Sequence, residues 1–91
     1  VKVRWLTTAA DDLEAISAYL HANAPAIAQR TLTRLFDGVN SLQENPYIGR
    51  PAKHGTRELI FRNERYVAIY RIEKDAIHIV GIRHTSRMPL S

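Results

Sequence analysis

Hydrophobic positions follow a helical period in the first half of the chain and form short strand-like runs in the second. Residues 2–6 alternate weakly and predict a short strand. Ala9, Leu13, Ile16 and Leu20 then recur at spacings of three and four, which predicts a first helix over about 8–22. Thr7 and Thr8 offer N-cap hydroxyls, and Asp11 completes an approximate capping box with Thr8. Asp11, Asp12 and Glu14 place negative charge near the helix start, where the helix dipole favours it. Asn23 marks a stop, and Pro25 suits the first position of a second helix. Ala28, Leu32, Leu35, Val39 and Leu42 form one stripe reaching about residue 44, widened by Ile27 and Phe36. So short a link forces the helices into an antiparallel hairpin, and their apolar stripe calls for a sheet to cover.

Asn45–Pro51, NPYIGRP, is dense in helix breakers and closes the helical region. Gly49 and Pro51 flank Arg50 and hold it on a structured loop, which Lys53, His54 and Gly55 prolong. Strands are expected at about 57–62, 65–72 and 76–82, with hairpin turns at Asn63–Glu64 and Glu73–Asp75. The middle run, YVAIYRI, is apolar on both alternations and belongs at the centre of a sheet with both faces partly covered. His84–Ser91 contains Pro89, shows little periodicity and reads as a tail. The expected order is β-α-α-β-β-β. That makes an α+β fold: an antiparallel sheet with an N-terminal strand, an α-helical hairpin packed on it, and three hairpin-connected C-terminal strands. Ninety-one residues accommodate one domain, 1–91.

Composition narrows the class. A hydrophobic content of 45% with 24% charged residues is that of a folded domain, not a disordered one. The chain has no cysteine, hence no disulfide and no thiolate metal site, which fits a reducing cytoplasm. The opening VKVRWL is too short for a signal h-region or a membrane span, so a cytoplasmic protein without a membrane partner is expected. Charge is unevenly placed. Residues 1–49 hold four basic side chains against five acidic ones, and residues 50–91 hold nine against four. Such a field steers acidic partners to one side of the molecule.

The four histidines, at 21, 54, 78 and 84, lack metal-ligand spacing, and there is no nucleophile elbow or glycine-rich phosphate loop. Neither a metal nor a cofactor is expected. The arginines among the strand runs, Arg57, Arg71 and Arg83, carry forked donors suited to phosphate or carboxylate. A metal-free ribonuclease would need a base, an acid and cations for the phosphorane charge. Arg50, Lys53, Arg57, Arg71 and Arg83 offer the cations. His84 offers an imidazole for proton transfer, with Glu58 a weaker candidate. The competing reading is that Arg57 and Arg71 make ion pairs with Glu58 or Glu73, or bond backbone carbonyls.

The runs ENPYIGRP (44–51), GTREL (55–59), YVAIYRI (66–72) and IVGIRHTSR (79–87), with TTAADDLEAISAYL (7–20) after the first strand, resemble the ParE branch of the RelE/ParE toxin superfamily. The resemblance covers nearly the whole chain. It implies a type II toxin–antitoxin toxin, a helical hairpin on an antiparallel sheet, and a cognate antitoxin whose flexible acidic and apolar segment wraps the toxin. A toxin–antitoxin hetero-oligomer is expected. ParE-like relatives poison DNA gyrase without a recognised catalytic centre, whereas RelE-like relatives cut messenger RNA in the ribosomal A site. RelE-type nucleases carry a tyrosine near the C-terminus, yet the residues after His84 are TSRMPLS, with none. That absence and the long helical hairpin favour gyrase inhibition by binding, with Arg50, Lys53, Arg57, Arg71, Arg83, His84 and Arg87 as target contacts. The alternative is a ribosome-dependent endoribonuclease using Arg57, Arg71, Arg83 and His84, and a third reading is a non-toxic binding module. Tyr19, Ile27, Leu32 and Phe36, at the margins of the helical stripes, are candidates for antitoxin contact, with ordinary core packing as the competing reading for each.

Overall fold

The computed structural model describes residues 1–87, the last of them by its backbone alone. Strand β1 (Lys2–Trp5) leads into helices α1 (Thr7–Asn23) and α2 (Pro25–Asn40), the latter continued by a 3-10 turn at Ser41–Gln43. Strands β2 (Arg50–Pro51), β3 (Arg57–Phe61), β4 (Tyr66–Ile72) and β5 (Ala76–His84) follow, and a 3-10 turn at Thr85–Arg87 ends the described chain. The strands form one sheet in the order β1-β5-β4-β3-β2. The α+β layout, the helical hairpin and the central place of β4 are as the sequence predicts.

Two features of the sheet differ from expectation. A two-residue strand, β2, adds an edge beside β3, and β1 runs parallel to β5, so the sheet is mixed. The connection explains the direction: everything between β1 and β5 forms a long crossover, which parallel pairing requires. The β3–β4 turn spans four residues, 62–65, not two. Arg65 adopts a left-handed φ of 64° and donates its N–H to Phe61 O at 2.8 Å. The tail also starts later than predicted. Strand β5 continues through His84, opposite Tyr66, and only the part of the predicted tail after Arg87 lies outside the described residues.

The helices cover one face of the sheet. Leu35, Val39 and Leu42 pack against Tyr70, Ile77 and Ile79, all fully buried, and each such aliphatic side chain contributes about 1.5–3 kcal/mol. Ile79 and Ile82 both reach this core although three residues apart, because the β4–β5 register shifts between Ile69 and Tyr70 and accommodates one extra residue in β5. Phe61 lies across Gly38 of α2, where an added Cβ would fall on its ring.

The start of α1 corrects the capping expectation. No side chain caps the helix. Thr8 instead donates its hydroxyl to Val80 O at 2.6 Å, and Asp12 accepts the Ile82 N–H at 2.9 Å. Both groups satisfy β5 backbone beyond the point where β1 stops pairing at Ile79. The polar residues read as a local helix signal are spent on a strand edge some seventy residues away.

Candidate functional site

The breaker-rich segment after the helices is strapped to the sheet by two side chains. Tyr70, with no solvent exposure, accepts the Gly49 N–H at 2.9 Å and donates its hydroxyl to Pro46 O at 2.7 Å. Arg57 projects from the helix-side row of β3, donates from Nη2 to Tyr47 O at 3.1 Å and Gly49 O at 2.6 Å, and lies 5.2 Å from the Tyr47 ring centroid. The competing carbonyl reading therefore holds for Arg57. Its Nε is buried without a partner among the described residues. Gly49 is a matter of space: an added Cβ would come within 2.8 Å of Glu58 O and strike the Tyr70 ring. The strap presents Tyr47, Ile48 and Arg50 to solvent. An Arg57→Ala protein is expected to lose about 1.5–3 kcal/mol of stability, the worth of hydrogen bonds from a charged donor, read as a lower urea midpoint at unchanged m-value.

A second cluster sits at the far end of β5. Arg83 forms an ion pair with Asp12, the carboxylate that also accepts the Ile82 N–H. His84 Nδ1 lies 2.6 Å from Ser86 Oγ, and its ring meets Tyr66 edge-on at 5.2 Å. Next to this cluster, the helical hairpin and the sheet enclose a groove of about 700 Å³ whose lining includes Tyr19, Ile27, Ile82 and His84.

The four residues of the nuclease reading do not converge. Arg57 and Arg71 lie at the level of Tyr70 in β4, on opposite faces of the sheet, whereas Arg83 and His84 lie opposite Val67 and Tyr66. Along β4 the two groups stand three to five residues apart, about 10–17 Å at strand rise. Of the remaining target candidates, Arg50 pairs with Glu58 at 2.9 Å, and Lys53 is exposed in a 3-10 turn beside His54, whose φ is 59°. Arg71 is exposed without an ion pair among the described residues, and the Arg87 side chain lies outside them. Among the described residues no three His, Asp or Glu side chains come together to hold a metal ion, and no helix is long and apolar enough to cross a membrane.

The antitoxin candidates divide between two flanks of the hairpin. Tyr19 and Ile27 line the groove beside His84. Leu32 and Phe36 line a second, more apolar groove of about 520 Å³ with Leu13 and Trp5, whose ring stacks on Phe36 at 6.1 Å. Phe36, Tyr19 and Ile27 are 49%, 57% and 41% exposed, so core packing does not account for them. Helical spacing located these residues but could not divide them. The roles of Asp12 and Tyr70 had no local signal, since their partners lie far away in sequence.

A family model described as the ParE toxin of the type II toxin–antitoxin system parDE matches residues 3–89. Toxin RelE2 of Caulobacter vibrioides is 39% identical over 87 residues, spanning 96% of this chain and 98% of the relative. Among solved structures, a chain of the chromosomal ParDE toxin–antitoxin system from P. aeruginosa superposes with a TM-score of 0.82 at 27% identity, covering 92% of this chain and 95% of that one. A chain of the RelBE2 toxin–antitoxin complex from Mycobacterium tuberculosis gives a TM-score of 0.65 at 26% identity, covering 91% and 95%.

Proposed function

Because the chain belongs to the ParE toxin family of type II toxin–antitoxin systems, we propose that it arrests growth by binding and inhibiting DNA gyrase, cuts no substrate, and is neutralised by a cognate antitoxin. What supports binding over cutting is the separation of Arg57 and Arg71 from Arg83 and His84 by about 10–17 Å along the sheet, with Arg57 and Arg71 on opposite faces. Proton transfer and charge stabilisation at one phosphodiester need their groups within hydrogen-bond reach of the same few atoms. The target contacts are then the exposed cations Arg50, Lys53 and Arg71, together with Arg83, His84 and Arg87, while Arg57 acts through the strap it holds. Antitoxin occupies both flanks of the hairpin with one wrapping segment, its apolar side chains in the grooves and its acidic ones on the basic half of the chain. The name of the Caulobacter relative and the RelBE2 neighbour favour a second reading, ribosome-dependent cleavage of messenger RNA.

Induction of the protein without antitoxin, followed after arrest by plasmid supercoiling and transcript integrity, separates the two. Loss of negative supercoiling with intact transcripts is expected; cleaved transcripts with normal supercoiling would assign the protein to the nuclease class. Arg50→Ala combined with Lys53→Ala is expected to abolish arrest. Losing one exposed ion pair costs about 0–1 kcal/mol, so the melting temperature should fall by roughly 8 °C at most. A folded double variant that stays fully toxic would remove this end of the basic face from the target interface.

A further inference from the structure

The sheet face turned away from the helices carries a row of side chains that lies outside both hairpin grooves. Val3 and Trp5 of β1, Tyr70 and Ile72 of β4, and Ile77 and Ile79 of β5 pack toward the helical core. Alternation along each strand sends Arg4, Arg71 and His78 to the opposite face. The register sets them side by side: Arg4 stands opposite His78 across β1–β5, and Arg71 stands opposite His78 across β4–β5. At a strand spacing of about 4.8 Å the row is about 10 Å long at the backbone.

Arg4 and Arg71 are exposed and His78 is half-buried. Among the described residues none of the three has a side-chain hydrogen bond or ion pair, whereas Arg34, Arg50 and Arg83 are each matched to a carboxylate. Glu73 and Asp75, in the turn between β4 and β5, form no ion pair with the row. Lys2, exposed one pleat away on β1, extends the positive charge. Arg4 and Arg71, two strands apart on one face, concentrate positive charge that a docked anion would neutralise.

We propose that the Arg4–His78–Arg71 row is a docking site for the phosphodiester backbone of duplex DNA. Single-strand binding relies on aromatic platforms for stacking, yet the strand aromatics Trp5, Phe61, Tyr66 and Tyr70 all pack toward the helix side. The row crosses the strands and only its Arg4 end lies on an edge strand, so a peptide pairing with β1 would reach Arg4 but not Arg71, two strands in. Adjacent cations without an aromatic platform fit the regular phosphates of a duplex, where contacts position the protein without reading sequence. Arg71 is also one of the proposed target contacts, but the inference rests on the row itself and not on which macromolecule the toxin poisons.

The test is fluorescence anisotropy of the purified full chain with a labelled 20-base-pair duplex of mixed sequence, titrated over a series of salt concentrations. Two to three phosphate contacts predict a log–log slope of about −2 to −3. Arg4→Ala and Arg71→Ala are each expected to bring that slope about one unit closer to zero and weaken low-salt binding about tenfold. Arg30→Ala, on α2, removes the same charge and should change binding less than twofold; circular dichroism checks that every variant is folded. An Arg30→Ala loss equal to that of Arg71→Ala would reduce the effect to net charge and overturn the site. Absence of duplex binding at low salt would overturn it too, as would tighter binding of single-stranded RNA that the row variants abolish. Gyrase does not enter the assay, so its outcome is independent of the gyrase reading.

Discussion

A Tyr70→Phe protein is expected to melt roughly 10–20 °C below the parent, for the loss of one oxygen atom. That hydroxyl serves one buried and one partly buried backbone group of the strap, accepting from Gly49 N–H and donating to Pro46 O. Phenylalanine keeps the ring and its packing but leaves a donor and an acceptor without partners, at about 1–3 kcal/mol each. In a domain of this size, 1 kcal/mol moves the melting temperature by about 4–8 °C. Gly49→Ala should destabilise in the same direction, because the added methyl group meets the Tyr70 ring and Glu58 O. Thermal unfolding of both variants checks the prediction. An unchanged midpoint for Tyr70→Phe would mean that the hydroxyl does not hold the strap.

Antitoxin affinity should be the other large effect. Tyr19→Asp with Ile27→Asp alters the groove beside His84, and Leu32→Asp with Phe36→Asp alters the groove beside Trp5. Each pair is expected to weaken antitoxin binding at least 100-fold, since losing an anchoring side chain costs about 2 kcal/mol or more and tenfold corresponds to about 1.4 kcal/mol. Tyr19, Ile27 and Phe36 are about half exposed and Leu32 is half-buried, so circular dichroism accompanies the titration to establish that each variant is folded. Titration with the purified antitoxin reads the effect directly, and co-expression should show arrest returning. A loss confined to one pair would restrict antitoxin to that flank. Two pairs that both bind within threefold of the parent would remove the hairpin from the interface.

Local patterns carried much of the fold. Pro25, the stripes at three- and four-residue spacing and the doubly apolar YVAIYRI located the hairpin and the central strand. The parallel pairing of β1 with β5 was not legible, because it depends on where a long crossover returns and leaves no mark on either strand. The same holds for the edge strand β2, whose two residues include a proline that strand statistics disfavour. Thr8 and Asp11 matched a capping signature, yet Thr8 bonds β5 and the neighbouring Asp12 serves the same strand: a polar side chain near a helix start can satisfy local or distant backbone, and tertiary packing decides. Arg57 showed the same ambiguity. Its position in the basic half marked it as a cation for a partner, whereas two of its contacts are carbonyls of the protein's own loop.

The most direct measurement is a reconstituted gyrase supercoiling reaction with the purified toxin, run beside a programmed ribosome carrying a defined messenger RNA. Inhibited supercoiling, restored by stoichiometric antitoxin, with the messenger RNA left intact, is the expected result. Cleavage of the ribosome-bound message with gyrase unaffected would contradict it and show that the separated arginines and His84 are brought together on the ribosome.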